Sequence, residues 1–80
     1  MPVLHPKKTP ARILDLLETD GGWLTVEGMS LYLGVTTETV QKALERLRNS
    51  GFVIMRELPL AGFDIRYEWR MTAEAFQVVA

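Results

Sequence analysis

The chain has no cysteine and a single histidine, His5. No disulfide or thiolate metal site can therefore reinforce it, and one imidazole cannot hold a zinc ion alone. No apolar run approaches the roughly 18 residues of a membrane span. The opening MPVLHPKKTP carries two lysines with no apolar stretch behind them, so it is not a signal peptide. A cytoplasmic location is the default expectation. An excess of one charge is also missing. Nine Lys and Arg stand against ten Asp and Glu, for a net charge of −1, with a pI near 5.7. Such a balance disfavours a nonspecific nucleic-acid binder that works by charge alone. There is no Ser/His/Asp or Cys/His set and no Gly-rich phosphate loop. The expectation is a non-enzyme with no cofactor, no metal and no small-molecule sensor.

What is present is enough for one modest domain. Eighty residues bury only about 60–65% of the surface that the unfolded chain exposes. Packing must supply the stability, and 48% hydrophobic residues give it material. The charges are unevenly placed. Residues 36–51 hold Lys42, Arg46 and Arg48 against Glu38 and Glu45, a surplus of one positive charge, whereas residues 1–35 sum to −1 and residues 52–71 balance.

Pro2, Pro6 and Pro10 mark residues 1–9 as an extended arm before a domain at 10–80. Thr9 is the expected cap of a first helix with Pro10 at its first position. Ile13, Leu14, Leu16 and Leu17 form its apolar face, and Gly21-Gly22 ends it. Trp23-Leu24 reads as a very short strand. Thr25 caps a second helix over about 26–33, whose Val26, Met29, Ser30 and Leu33 share one face. Gly34 stops it. Thr36 or Thr37 caps a third helix running to about Ser50, with Val40, Ala43, Leu44 and Leu47 at the same spacing. Gly51 and Phe52 fit a Schellman-type end. Residues 52–58 and 63–70 are strand-like, joined by Leu58-Pro59-Leu60-Ala61-Gly62. In the second strand Phe63, Ile65, Tyr67 and Trp69 alternate with polar residues and are expected to cover the helices. Thr72 is the expected cap of a short last helix, 73 to about 79.

The order helix, short strand, helix, helix, strand, turn, strand resembles a winged helix-turn-helix domain over about residues 10–77. Particular residues carry the likeness: Leu24-Thr25, Leu33-Gly34-Val35-Thr36, Thr39-Val40, Leu44-x-x-Leu47-x-x-x-Gly51-Phe52-Val53, and Trp69-Arg70-Met71-Thr72. They are similar to the phrasing of bacterial winged-helix regulators. The resemblance implies an α+β fold: a three-helix core, a short β-strand, a two-stranded β-wing and a short C-terminal helix. It also implies sequence-specific binding of double-stranded DNA by a small transcriptional regulator, with the helix at about 37–50 in the major groove. Carried over by position, Thr37, Glu38, Thr39, Gln41, Lys42 and Arg46 would face DNA. Gln41 suits adenine, Lys42 guanine or phosphate, and the threonines a phosphate or a thymine methyl. The same face reads equally as a solvated helix surface, with Glu38–Lys42 an ordinary i,i+4 pair.

The turn between the two strands departs from that family. A wing that grips DNA carries Arg or Lys at its tip, whereas this tip is apolar. Arg56 and Arg66 lie further back, where they reach a phosphate or pair with Glu57, Asp64 or Glu68. The alternative is a winged-helix module that binds protein through Leu58 and Leu60 at the tip or Phe76 and Val79 near the C-terminus. A lone domain with few phosphate contacts binds DNA weakly, so a homodimer on two half-sites is expected.

Overall fold

The computed structural model describes residues 8–62 and 64–73. Three helices come first: α1 (Thr9–Asp20), α2 (Val26–Leu33) and α3 (Thr37–Asn49). Two strands follow, β1 (Val53–Pro59) and β2 (Ile65–Met71), paired antiparallel from Val53↔Met71 to Pro59↔Ile65. Leu24 forms an isolated bridge on the far side of β2, exchanging both backbone hydrogen bonds with Trp69. Trp23-Leu24 therefore provides a third, minimal strand, as its sequence suggests.

The helix ends follow from local chemistry. Thr25 Oγ1 accepts the Gly28 N–H at 3.1 Å, and Thr36 Oγ1 accepts that of Thr39 at 3.1 Å, so threonines cap α2 and α3. Gly34 ends α2 at φ 70°, a left-handed conformation in which a side chain would strain the backbone. At the end of α3 the Phe52 N–H reaches the Leu47 carbonyl and the Gly51 N–H that of Arg48, the two bonds of a Schellman motif. The start of α1 differs from expectation. Lys8 is the cap, Thr9 is already helical and Pro10 is the second helical residue, because the ladder opens with the Arg12 N–H on the Lys8 carbonyl. Proline fits there too, since amides of the first turn have no partner within the helix.

The core gathers Ile13 and Leu17 from α1, Val26 and Met29 from α2, Val40, Ala43, Leu44 and Leu47 from α3, and Val53, Trp69 and Met71 from the strands. Fully burying side chains of this size contributes roughly 1.5–3 kcal/mol each, which is what holds short helices that would be marginal alone. Polar bonds brace the turn after α2 and tie its end to α1. Ser30 Oγ donates to the Val35 carbonyl at 2.5 Å, and Arg12 Nη2 donates to the Leu33 carbonyl at 2.9 Å, tying the end of α2 to α1.

One expectation about the hairpin is corrected. Trp69 is buried, but Ile65 and Tyr67 on the same face are 48% and 45% exposed. At about 3.3 Å per residue, the four residues from Trp69 to Ile65 carry the strand some 13 Å outward, past the helices that would cover it. Phe63 lies outside the described residues. So does most of the expected last helix: Ala73 is helical, and residues 74–80 are not described. Thr72 N–H and Oγ1 bond the carbonyls of Phe52 and Gly51, securing the end of β2 to the end of α3. No helix among the described residues is long and apolar enough to cross a membrane.

Candidate nucleic-acid interface

α3 divides cleanly. Val40, Ala43, Leu44 and Leu47 are buried, and every other residue of the helix is exposed. Thr37, Glu38, Thr39, Gln41, Lys42 and Arg46 are thus all presented on one element, as their positions imply. Their chemistry is partly committed already. The Thr39 hydroxyl lies 2.8 Å from that of Thr36, inside the helix cap. Lys42 Nζ is 3.2 Å from Glu38 Oε1, with both side chains 76% accessible. Arg48 Nη1 is 4.0 Å from Glu45 Oε1. Arg46 has no ion pair among the described residues. An exposed lysine–glutamate pair is worth only a few tenths of a kcal/mol, so Lys42 can leave Glu38 for a phosphate at little cost.

Two grooves flank this face. One lies between α3 and the wing, lined by Val26, Met55, Leu60, Ile65, Tyr67 and Trp69 with Gln41 and Arg48. Glu27, Glu45 and Asp64 line it as well, against only Arg48 and Arg66, so its charge is unfavourable to a phosphate. The other groove runs beside the start of α1, where Thr9 and Pro10 face Thr39, Lys42 and Arg46. Gln41 and Glu45 line both grooves.

The wing arginines are held in place. Arg56 donates from Nε and Nη2 to Glu68 Oε1 at 2.9 and 2.7 Å. Arg66 Nε is 3.3 Å from Glu68 Oε2. The Arg56 guanidinium also lies 4.3 Å above the Trp23 ring, with that of Arg70 at 5.9 Å. Glu68 is 7% exposed, the sole buried charged residue among those described. Arg56 sits directly across from Glu68 in the ladder, on the opposite face from Val53 and Met55. Arg56 is thus not among the residues lining the cleft beside α3, whereas Arg66 lines it and is also paired with Glu68. The sequence contains a signal for this cluster. Arg66, Glu68 and Arg70 recur every second residue, which puts all three on one face of a strand. At the tip, Leu60 is 47% exposed and Leu58 is half-buried; Phe76 and Val79 lie outside the described residues. No group of three or more His, Cys, Asp or Glu among the described residues is placed to hold a metal.

These elements define the fold as a winged helix-turn-helix: α2 and α3 are the helix-turn-helix, and β1 and β2 are the wing. Solved structures agree. A protein of the thermoacidophilic archaeon Sulfolobus tokodaii superposes with a TM-score of 0.75 at 16% identity over 91% of this chain. A possible transcriptional regulator from Methanosarcina mazei does so with 0.79 at 16% identity over 91%. PadR of Bacillus subtilis, in complex with operator DNA, does so with 0.75 at 20% identity over 88%. This chain spans 68%, 61% and 43% of those three chains respectively, so each carries structure beyond the shared domain. No protein-family model matches the sequence, and no curated protein matches it.

Proposed function

We propose that the protein binds double-stranded DNA as a small transcriptional regulator, with α3 entering the major groove. The observation that carries this reading is the exposed face of α3: an unobstructed helix side offering Gln41, Lys42 and Arg46. Two neighbours support it, since one is described as a possible regulator and PadR is bound to operator DNA. Phosphate contact would come from Lys42, Arg46 and the N-terminal turn of α3, where free amides favour an anion.

Few phosphate contacts mean modest affinity and modest salt dependence. With about two phosphates neutralised per copy, log K should fall with log salt at a slope of roughly −2. Fluorescence anisotropy with random duplex DNA at two salt concentrations measures it. Lys42→Ala with Arg46→Ala should bring the slope close to zero. No binding at low salt would overturn the proposal.

A second reading has its own observation. Glu68 binds Arg56 and Arg66, the tip is apolar at Pro59, Leu60 and Ala61, and carboxylates line the cleft beside α3. A wing built this way suits a protein surface better than a phosphate backbone. The same titration distinguishes the two readings, because a purely protein-binding module shows no salt-dependent duplex binding.

A further inference from the structure

We propose that the outer face of the β1–β2 sheet is a docking surface for an acidic protein segment whose carboxylates lie next to apolar side chains, with Arg70 as the residue that binds a carboxylate. The inner face carries Val53, Met55, Trp69 and Met71, which form the core or pack against it, so the outer face looks away from the helices. Side chains alternate along a strand. Ile54 and Arg56 of β1 therefore share the outer face with Arg66, Glu68 and Arg70 of β2. Trp23 joins them at the edge, because Leu24 pairs with Trp69 and sets the preceding residue beside Arg70. The Trp23 ring lies 5.9 Å from the Arg70 guanidinium. The inference does not rest on the DNA-binding reading, since α3 has no part in it.

Charge identifies the partner. Three guanidiniums and one carboxylate give this face a net charge of +2, in a chain whose net charge is −1. The three arginines are not equivalent. Glu68 holds Arg56 at 2.7 Å and Arg66 at 3.3 Å. Arg70 is exposed and makes no ion pair among the described residues. Its planar fork of donors matches a carboxylate at two points. Ile54 stands directly across from it in the ladder and is 48% exposed. An apolar side chain laid over Ile54 would keep water from the new ion pair and strengthen it.

Two features favour a protein segment over a nucleic-acid strand. The Trp23 ring is half-buried and Arg56 already stacks on it at 4.3 Å, so it is a poor platform for a base. A phosphate backbone is held by several cations in a row, and here two of the three are committed to Glu68. One unmatched guanidinium beside an uncovered isoleucine fits an acidic residue next to an apolar one.

The test is fluorescence anisotropy with a labelled peptide of alternating glutamate and leucine, and with its glutamine–leucine counterpart, at two salt concentrations. The glutamate peptide should bind and should weaken as salt rises. The glutamine peptide should bind at least about tenfold less tightly. Arg70→Glu should weaken the glutamate peptide at least about tenfold, the loss expected of one charge-assisted hydrogen bond. Arg70 is exposed, so the variant should fold, and circular dichroism checks this. Lys8→Glu makes the same change of charge at the start of α1 and should leave the affinity within about twofold. No binding of the glutamate peptide by the wild type would overturn the inference. Equal binding of the two peptides, or equal losses from Arg70→Glu and Lys8→Glu, would do the same. So would a loss of about tenfold in duplex binding by Arg70→Glu, because the face would then belong to nucleic acid.

Discussion

Replacing the residues of the Glu68 cluster tests whether a buried carboxylate organises the wing. Glu68 accepts two hydrogen bonds from Arg56 and lies 3.3 Å from Arg66. Its side chain is 9% accessible, whereas those of Arg56 and Arg66 are 43% and 52% accessible. The asymmetry sets the expected order of effects. Glu68→Ala leaves two guanidiniums that can turn into water, so its cost resembles that of partly exposed ion pairs, about 1–2 kcal/mol. Arg56→Ala takes two hydrogen bonds from a mostly buried carboxylate, leaving it only Arg66, and removes the stacking on Trp23, for about 2–3 kcal/mol. For a domain of this size each kcal/mol lowers Tm by about 4–8 °C. Thermal and urea unfolding of the two single variants and the double variant give the coupling energy, expected to be at least about 1 kcal/mol. A coupling below about 0.3 kcal/mol, or a larger loss from Glu68→Ala than from Arg56→Ala, would refute the reasoning. The same variants report on the wing's partner. If freed Arg56 and Arg66 reach phosphate, Glu68→Ala steepens the salt slope of duplex binding by about 1–2; a wing that meets protein leaves it unchanged.

Two other outcomes follow from the packing and from the size of the interface. Leu44 is fully buried between the helices, so Leu44→Ala should cost about 2–5 kcal/mol. A domain of this length holds roughly 4–12 kcal/mol in all, so urea denaturation should show a transition shifted well below wild type or lost altogether; an unshifted midpoint would mean the core is organised differently. If two copies occupy two half-sites, sedimentation at high micromolar concentration should show a dimer, and a monomer at that concentration removes this part of the proposal.

The fold was legible because its signals are local. Gly34 and Gly51 lie just beyond the periodic runs they terminate, threonines precede α2 and α3, and the i, i+3, i+4, i+7 apolar spacing in α3 marks its buried face residue for residue. The site was legible only in outline. Position along α3 gives its exposed residues but not which of them are already paired or which line the clefts beside the helix, because those depend on where α1 and the wing stand on either side. The strand alternation led to Ile65 and Tyr67 as core residues, and they are half exposed, because alternation defines a face without saying how far the covering helices extend.

Sequence by itself determined the three helices, the wing and the register of hydrophobic faces, since caps, glycines and periodicity act within a few residues of one another. Tertiary structure alone decided the state of the wing's charges. Glu68, Arg56 and Trp23 are distant in sequence and meet only when the hairpin closes and Leu24 pairs with Trp69. Charge interactions depend on distance through space and on exclusion of water, and neither quantity is written along the chain.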